Sequence, residues 1–388
     1  MNRKQRRAGD RRPPLPTGDG GDHIALHAAG VKAFRSGQLG AAAALLAKAI
    51  AINGEMPDFH YNLAITLRAQ GKLKEAAASY RRAILLKPDY ADAHNNLGNV
   101  WKALGKPQKA RASFEQALQL RPGNADTQYS LGVLCNDLGN RDEAARHFQR
   151  CLELDPDDCR GAQMLLAKLG MATIPDRAPH AQLLSIYEVR SHFWDRENSY
   201  FGHTLVLEGL QQHAADNKMD ILDIGCGTGL VGAQVRHLAA RLDGVDVSPE
   251  MLEKAAKKGL YDRLERADLV PALLGHAQCY DAVLGAGILI HFGDLDQVFQ
   301  AAAACLREQG IFIFTLFSNE MDGKDFSVAA HDKLAQSGCY MHSTGYVERL
   351  SAKWGFSVGM LKRCIHENDL AGNPVPGLLA VLRRSVPG

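Results

Sequence analysis

The sequence lacks any long apolar run. None of its 388 residues fall in a stretch approaching the roughly 20 apolar residues of a membrane-spanning helix. The basic N-terminus is not followed by an apolar segment, so the sequence predicts no secretory signal peptide. We therefore expect a cytoplasmic protein without a membrane span.

A charge excess of one sign and clustered cysteines are also missing. The formal net charge of +2 gives no overall nucleic-acid signature, which argues against a nucleic-acid partner. The eight cysteines contain no C-x-x-C pair, and Cys and His never cluster at ligand spacing along the chain. We therefore expect reduced thiols and no metal site.

The length suits two or three domains. Residues 1–22 carry six Lys or Arg among the first twelve, followed by prolines and glycines, and predict a disordered basic tail. Residues 171–180 contain two prolines and read as a linker. Residues 181–215 then predict two helices that lead into a C-terminal domain over 171–388.

A 34-residue period runs through the N-terminal half. Gly37, Gly71, Gly105 and Gly139 are spaced by 34, and so are the alanines and prolines at equivalent positions, Ala42, Ala76, Ala110, Ala144, Pro88, Pro122 and Pro156. This pattern is identified as the tetratricopeptide repeat, a helix pair that must stack on its neighbours to bury its apolar face. We predict an array over 23–170, with four units beginning near His23, Pro57, Ala91 and Ala125, and a capping helix over 159–170.

Such an array forms a concave groove that typically binds an extended peptide or protein. The groove-side candidates are Asn62, Asn95, Asn96, Asn99, Lys102, Gln128 and Asn136. For each of them the alternative is a hydrogen bond between repeats or a solvent-facing scaffold position.

The C-terminal domain is organised around a glycine loop. The apolar, strand-like residues Ile221, Leu222 and Ile224 run into Gly225, Gly227 and Gly229, and a helical pattern follows. A strand, a glycine loop and a helix N-terminus together make a nucleotide-binding turn, because the glycines allow tight turning and close approach of a ligand. Asp223 precedes the loop, and Asp246 ends the next predicted strand, where an acid can hold ribose hydroxyls.

With these features the domain resembles the class I S-adenosylmethionine-dependent methyltransferases. Strands alternate with helices from 219 to 317 and an antiparallel pair follows, which predicts a doubly wound α/β fold. The resemblance implies a Rossmann-like sheet of seven strands, with the last strand inserted between the fifth and sixth. It also implies that the helical segment 181–215 forms a lid over the cofactor and substrate opening. The complete fold prediction is an all-α tetratricopeptide solenoid followed by this α/β domain.

The resemblance names S-adenosylmethionine as the cofactor. It assigns Asp223 to the cofactor's amino group and Asp268 to the adenine amino group, beside the ribose role of Asp246. The predicted cofactor-binding residues are Asp223, Gly225, Cys226, Gly227, Gly229, Asp246, Val247, Met251, Asp268, Leu269 and Gly285. The rival is a dinucleotide-dependent dehydrogenase, which would require G-x-G-x-x-G where this loop has G-x-G-x-G.

The acceptor is not named by the sequence. Methyl transfer from a sulfonium has a neutral leaving group, so catalysis can rest on proximity, and a base is needed only if the acceptor must lose a proton. His291 is the candidate base, with a packing role as its alternative, and His342 is a weaker candidate. The segment 285–288, Gly-Ala-Gly-Ile, stands where amide- and adenine-methylating relatives carry Asn/Asp-Pro-Pro-Tyr/Phe, which disfavours those acceptors.

The layout resembles bacterial tetratricopeptide-repeat methyltransferases, and three hypotheses follow. In the first, the repeats recruit a protein or macromolecular acceptor that the C-terminal domain methylates. In the second, the repeats are the function, and the second domain holds the cofactor without catalysis. In the third, the acceptor is a small molecule, and the repeats serve oligomerisation.

Overall fold

The structure is a computed structural model that describes residues 22–191, 194–196, 199–213, 217–319, 323–329, 337–369 and 372–385. The predicted basic tail therefore lies outside the described residues, except for Asp22. The chain divides into two compact units, residues 1–122 and 123–388. Among the described helices, none combines the length and the apolar character that crossing a membrane requires.

The first unit consists of three helix pairs. Its helices are α1 Asp22–Arg35, α2 Leu39–Ile52, α3 Pro57–Ala69, α4 Leu73–Leu86, α5 Ala91–Ala103 and α6 Pro107–Leu120. Each pair turns at a glycine of the 34-residue period, and Gly37, Gly71 and Gly105 all adopt the positive φ that favours glycine. The predicted helix–turn–helix repeats are present.

The two helices of a repeat cross at a small residue. A Cβ added to Gly98 on α5 would lie 2.5 Å from a ring carbon of Phe114 on α6. Phe114 is completely buried, so its ring fills the space that a larger residue at 98 would need. The periodic pairing of a glycine with an aromatic therefore reflects direct contact between the helices.

The second unit begins with further helices. They are α7 Ala125–Asp137, α8 Arg141–Leu154, α9 Ala162–Lys168, α10 His180–Arg190 and α11 Gly202–His213. α7 and α8 are the fourth predicted repeat, and α9 covers part of the predicted capping helix. α9 packs against α8 and also contacts a strand of the sheet described next. The fourth repeat therefore packs within the same compact unit as the sheet.

A nine-stranded sheet forms the centre of the second unit. Its strands are β1 Met219–Ile224, β2 Ala239–Asp246, β3 Arg263–Arg266, β4 Tyr280–Gly285, β5 Leu306–Ser318, β6 Phe326–Val328, β7 Tyr340–His342, β8 Phe356–Asn368 and β9 Pro374–Arg384. The order β3-β2-β1-β4-β5 is parallel throughout. β9 then pairs antiparallel with β5 on one side and with β8 on the other, so the last strand lies between β5 and β8 as predicted.

Seven of these strands correspond to the predicted sheet, and β6 and β7 were not predicted. Phe317 pairs with Gly377 of β9 and with Met341 of β7, so β7 occupies the edge of β5 opposite β9. β4 pairs with β5 only as far as Phe314, which leaves that edge open to β7. The β6–β7 pair therefore extends the sheet beyond the carboxyl end of β4.

Helices cover both faces of the sheet, as the doubly wound fold requires. The remaining helices are α12 Leu230–Val235, α13 Pro249–Lys258, α14 Leu269–Leu274, α15 Asp296–Cys305 and α16 Thr344–Lys353. One core packs side chains of α14, α15 and α16 against the sheet, and the other packs those of α11 and α12. β1 and β4 are almost entirely buried, and the carboxyl ends of β1, β2 and β4 lie at the same edge of the sheet.

Candidate active site

The glycine loop joins β1 to α12 and approaches β2 closely. The amides of Gly225 and Cys226 both donate to the carbonyl of Val245, at 2.8 and 3.0 Å. Gly225 has φ +67°, and a Cβ there would lie 2.7 Å from the side chain of Ile288. Glycine is therefore required at 225 both for its backbone conformation and for its packing.

Asp246 links the loop to the end of β2. One of its carboxylate oxygens accepts from the amide of Gly227 at 2.9 Å, and the other accepts from the amide of Ser248 at 2.8 Å. Burial raises the pKa of Asp246, while these two amides favour the ionised form. Each oxygen keeps a second lone pair, so the carboxylate can still accept bonds from ligand hydroxyls.

A cavity lies above this loop. Six of the predicted cofactor-binding residues line it, namely Gly225, Cys226, Gly227, Asp246, Val247 and Met251. Ala286, Gly287 and Ile288, which follow β4, form a second wall. The structure thus brings together the ends of β1, β2 and β4, as the switch-point rule predicts.

Five predicted residues do not line this cavity: Asp223, Gly229, Asp268, Leu269 and Gly285. Asp223 is completely buried on β1, and one of its oxygens accepts the hydroxyl of Tyr261 at 2.7 Å. The other oxygen, Oδ1, is buried without a hydrogen-bond partner among the described residues. Burial raises the pKa of Asp223 to about 7, so its carboxyl is partly protonated near neutral pH.

Asp268 is engaged by a residue that the sequence analysis missed. Its carboxylate lies 2.7 Å from the guanidinium of Arg177, in the predicted linker. The same guanidinium stacks on the ring of Phe292, 5.2 Å from its centroid. Any hydrogen bond that Asp268 accepts from an adenine amino group therefore has to share the carboxylate with Arg177. No motif marks Arg177, because the pair is separated by 91 residues in the chain.

The segment predicted as a lid supplies the aromatic wall of the cavity. Leu183, Tyr187, Trp194, Tyr200 and His203 all line it. Consecutive rings are in contact, with centroids 6.0 Å apart for Tyr187–Trp194 and 5.4 Å apart for Trp194–Tyr200. Within the segment 181–215, residues 192, 193, 197, 198, 214 and 215 lie outside the described residues.

Polar contacts tie this segment to the glycine loop and α13. The hydroxyl of Thr228, inside the loop, donates to Asp195, whose carboxylate also lies 3.0 Å from the ammonium of Lys258. Lys254 donates to the carbonyl of Ser191. The aromatic wall is thereby held over the loop by charged and polar side chains at its edge.

Gly287 allows one of the lid tyrosines to approach the sheet. It has φ +69°, and a Cβ at this position would lie 2.8 Å from the hydroxyl oxygen of Tyr200. Its amide donates to the hydroxyl of Thr315 at 2.9 Å. A side chain at 287 would therefore push Tyr200 away from the wall of the cavity.

His291, the predicted base, lies behind Tyr187 and does not line the cavity. Nδ1 is 3.1 Å from the carbonyl of Gly338, which can only accept, so Nδ1 carries the proton. Nε2 is then free to accept the hydroxyl of Tyr187, at 2.6 Å. Burial lowers the pKa of His291 to about 4, so the imidazole is neutral at physiological pH. Tyr187, which the sequence analysis did not single out as catalytic, is the member of this pair that reaches the cavity.

His342, the weaker candidate base, is also removed from the cavity. It is completely buried, and its Nε2 donates to the carbonyl of Gly293 at 3.1 Å. Burial lowers the pKa of His342 to about 4 as well. Its contacts are those of a packing residue, since its ring also stacks on Tyr346 of α16.

Comparisons with known proteins match both parts of the chain. A family model described as a methyltransferase domain matches residues 221–310. Models described as TPR repeat and tetratricopeptide repeat match residues 65–105 and 102–169. The predicted combination is confirmed: the chain contains tetratricopeptide repeats and a methyltransferase domain, whose cofactor is S-adenosylmethionine.

Individual relatives are similar to the C-terminal part. The ubiquinone biosynthesis O-methyltransferase of Colwellia psychrerythraea is 22% identical over 229 residues, which cover 53% of this chain and 92% of that protein. Methyltransferase-like protein 27 of Homo sapiens is 48% identical over 71 residues, which cover 18% of this chain and only 29% of the human protein. The crystal structure of Burkholderia thailandensis 1,6-didemethyltoxoflavin-N1-methyltransferase is 21% identical, with a TM-score of 0.44, and covers 55% of this chain and 94% of that one.

Proposed function

We propose that this chain transfers a methyl group from S-adenosylmethionine to an acceptor that its tetratricopeptide repeats recruit on a protein or other macromolecule. The observation that carries the catalytic part is the cavity over the glycine loop, where Asp246 and the loop backbone face an aromatic wall. A site that had lost its catalytic activity would not need to keep this loop geometry. The proposal therefore favours an enzyme over a scaffold that only holds the cofactor.

The residues of the cavity fit the cofactor. The glycine loop offers close backbone approach, and Asp246 has the acceptor capacity that two ribose hydroxyls need. Met251 and Val247 provide apolar surface for an adenine ring. Asp223, which the sequence analysis assigned to the cofactor's amino group, is completely buried and does not line the cavity, so the fit rests on the other residues. When bound, S-adenosylmethionine supplies an activated methyl group on a sulfonium with a neutral leaving group.

We assign to Tyr187 the role of binding and aligning the methyl acceptor. Its proton is committed to Nε2 of His291, so its oxygen lone pairs remain available to an O–H or N–H group of the acceptor. Such a bond would align the attacking atom, and alignment is the main requirement of an in-line displacement. His291 then acts as a positioning residue, since its low pKa makes it a weak base at neutral pH.

The repeats supply the recruiting surface in this proposal. Two of the predicted groove residues instead hold neighbouring repeats together: Asn62 lies 2.8 Å from Nε2 of His27, and Asn96 donates to the hydroxyl of Tyr61 at 2.9 Å. Asn95 has a buried side-chain oxygen without a partner among the described residues. We therefore assign the binding role to Asn95, together with Asn99 one helical turn along α5.

A small-molecule acceptor is the second candidate. The aromatic wall of Tyr187, Trp194 and Tyr200 suits a planar acceptor, because offset stacking favours flat rings. The name of the Colwellia psychrerythraea relative points to O-methylation in ubiquinone biosynthesis. In this case the repeats would bind something other than the acceptor, or a second copy of the chain.

The absence of disulfides among the eight cysteines supports a cytoplasmic location for either candidate.

Transfer of a labelled methyl group into a cell lysate separates the two candidates. The wild-type chain is compared with a full-length Asn95→Ala, Asn99→Ala variant and with Asp246→Asn, the control whose cofactor binding is weakened. Recruitment by the repeats predicts a labelled macromolecule with the wild type and at least a several-fold weaker signal with the double variant. Equal labelling of a macromolecule by both would contradict recruitment through α5, and label confined to small molecules would favour the second candidate.

A further inference from the structure

The hairpin formed by α7 and α8 brings together three side chains that can bind a metal ion. Cys135, Glu143 and His147 each offer one ligand atom, and these atoms all lie within 4.8 Å of one another. Cys135 is completely buried, and the other two are half-buried. The sequence analysis expected no metal site, because Cys and His do not cluster at ligand spacing along the chain. Cys135 and His147 are twelve positions apart.

The two donors on α8 share one face of the helix. Glu143 and His147 are four residues apart, the spacing that places side chains one above the other. Cys135 lies in the last turn of α7, opposite the first two turns of α8. The three positions are therefore brought together by the backbone of the repeat, whose helices pack along their length.

A fourth residue orients the imidazole. Nδ1 of His147 is 2.8 Å from the amide oxygen of Gln128 on α7. Because that oxygen can only accept, Nδ1 carries the proton and the lone pair is at Nε2. Metal-binding histidines commonly have this arrangement, in which the second ring nitrogen donates to an outer oxygen that fixes the tautomer and the ring.

The preceding repeat shows that contact between these positions is inherent in the fold. One period earlier, the equivalents of Cys135 and Glu143 are Trp101 and Lys109, and the ammonium of Lys109 lies 5.1 Å above the Trp101 ring. The equivalent of His147 there is Ser113. In the four repeats of the sequence, a thiol and an imidazole occupy these positions only in the fourth.

We propose that Cys135, Glu143 and His147 form a zinc site in the fourth repeat. A thiolate, an imidazole and a carboxylate are the protein ligands that zinc prefers, and water would complete four-coordination. Donors around a tetrahedral zinc lie about 3.3–3.8 Å apart, which these side chains reach by small rotations. The Cys135 thiol loses its proton to solvent on binding, and the ion then joins α7 to α8. The proposal does not depend on the methyl-transfer function.

The test uses the full-length protein after removal of metal with a chelator and dialysis against zinc, with bound zinc measured by mass spectrometry. We expect one equivalent of zinc per chain in the wild type and none in Cys135→Ser or His147→Gln. The matched control is Cys151→Ser, a buried cysteine on the same helix α8 that is not part of the cluster, and it is expected to keep the ion. Gln128→Leu is expected to weaken zinc binding about 10- to 100-fold.

Cobalt substitution supplies a readout of the thiolate ligand itself. Cobalt in this site should give a thiolate-to-cobalt charge-transfer band that is present in the wild type and Cys151→Ser and absent from Cys135→Ser. If Cys135→Ser does not fold, as judged by circular dichroism, His147→Gln and Glu143→Gln carry the test through zinc stoichiometry. Less than stoichiometric zinc in the wild type would overturn the proposal, and so would a charge-transfer band that survives in Cys135→Ser.

Discussion

The hydroxyl of Tyr187 donates a 2.6 Å hydrogen bond to Nε2 of His291, so a lid residue is tied to the segment after β4 directly beside the cavity. The carbonyl of Gly338 fixes the opposite ring nitrogen as the donor, 3.1 Å away. Burial lowers the pKa of His291 to about 4 and raises that of Tyr187 well above its usual range. Both groups are therefore neutral at pH 7, and the pair acts by position.

Removing the Tyr187 hydroxyl should slow methyl transfer without disturbing the cofactor. For Tyr187→Phe we expect kcat to fall about 10- to 100-fold, because the acceptor loses its aligning partner and Nε2 of His291 loses its donor. S-adenosylmethionine affinity should change less than about threefold. Tyr346→Phe is the matched control, since it removes a buried hydroxyl that bonds to Asp294. Equal losses of kcat in both variants would indicate a structural effect only.

The pH dependence of the rate distinguishes a positioning histidine from a base. Because the pKa of His291 is lowered to about 4, it does not titrate between pH 5.5 and pH 8.5. The ratio of wild-type kcat to that of His291→Gln should therefore be constant across this range, whatever the pKa of the acceptor. A ratio that rises through a midpoint near pH 6 to 7 would make His291 the base that the sequence analysis proposed.

Asp223 should make the stability of the cofactor-free protein depend on pH. Its carboxyl is fully buried with a pKa near 7, whereas an unfolded aspartate has a pKa of about 3.9. Between these values the unfolded state releases the proton and the folded state keeps it, so stability falls as pH rises from about 4 to 7 and then levels off. The full effect is of order 4 kcal/mol, or about 1.4 kcal/mol per pH unit.

Asp223→Asn removes this titration while keeping an oxygen for the Tyr261 hydroxyl. Urea unfolding of both proteins should give similar free energies of unfolding near pH 4.5. As the pH rises to 7.5, the variant should become increasingly more stable than the wild type. A difference that stays constant across this range would show that Asp223 is ionised in the folded state at all these pH values.

Two loop glycines should respond differently to the same substitution. Gly225→Ala places a Cβ 2.7 Å from Ile288 at a φ of +67°, whereas Gly227→Ala at φ +54° meets nothing within 4 Å. We expect the free energy of unfolding to fall by about 1–2 kcal/mol in Gly227→Ala from backbone strain, and by about 1–3 kcal/mol more in Gly225→Ala from overpacking. Equal losses would contradict the packing of Ile288 on the loop.

The parts of the fold with a local or periodic signal were predictable from sequence. The 34-residue period predicted the helix pairs, because two helices that cross closely at a position such as Gly98 allow only a small residue there. The glycine loop and Asp246 predicted a nucleotide-binding turn, because both lie next to the strand ends that position them. The resemblance to the methyltransferase family then named the cofactor. The short strands β6 and β7 carry no such signal, as each has three residues.

The rest of the site depends on contacts between distant segments. Arg177 meets Asp268 across 91 residues, and Tyr187 meets His291 across 104. Spacing along the chain does not reveal such contacts. The sequence analysis therefore named His291 as the candidate base and gave Tyr187 no role. The same limit hid the cluster of Cys135, Glu143 and His147, which only the crossing of α7 and α8 assembles.

The central claim is that the cavity over the glycine loop binds S-adenosylmethionine through Asp246, and calorimetric titration tests it most directly. The matched pair is Asp246→Asn and Asp243→Asn: both residues lie on β2, but Asp243 accepts the hydroxyl of Tyr280 away from the cavity. We predict one bound cofactor per wild-type chain, about 10- to 100-fold weaker binding in Asp246→Asn from the lost charge-assisted hydrogen bonds, and nearly unchanged binding in Asp243→Asn. No binding by the wild type, or equal affinity in Asp246→Asn, would contradict the account.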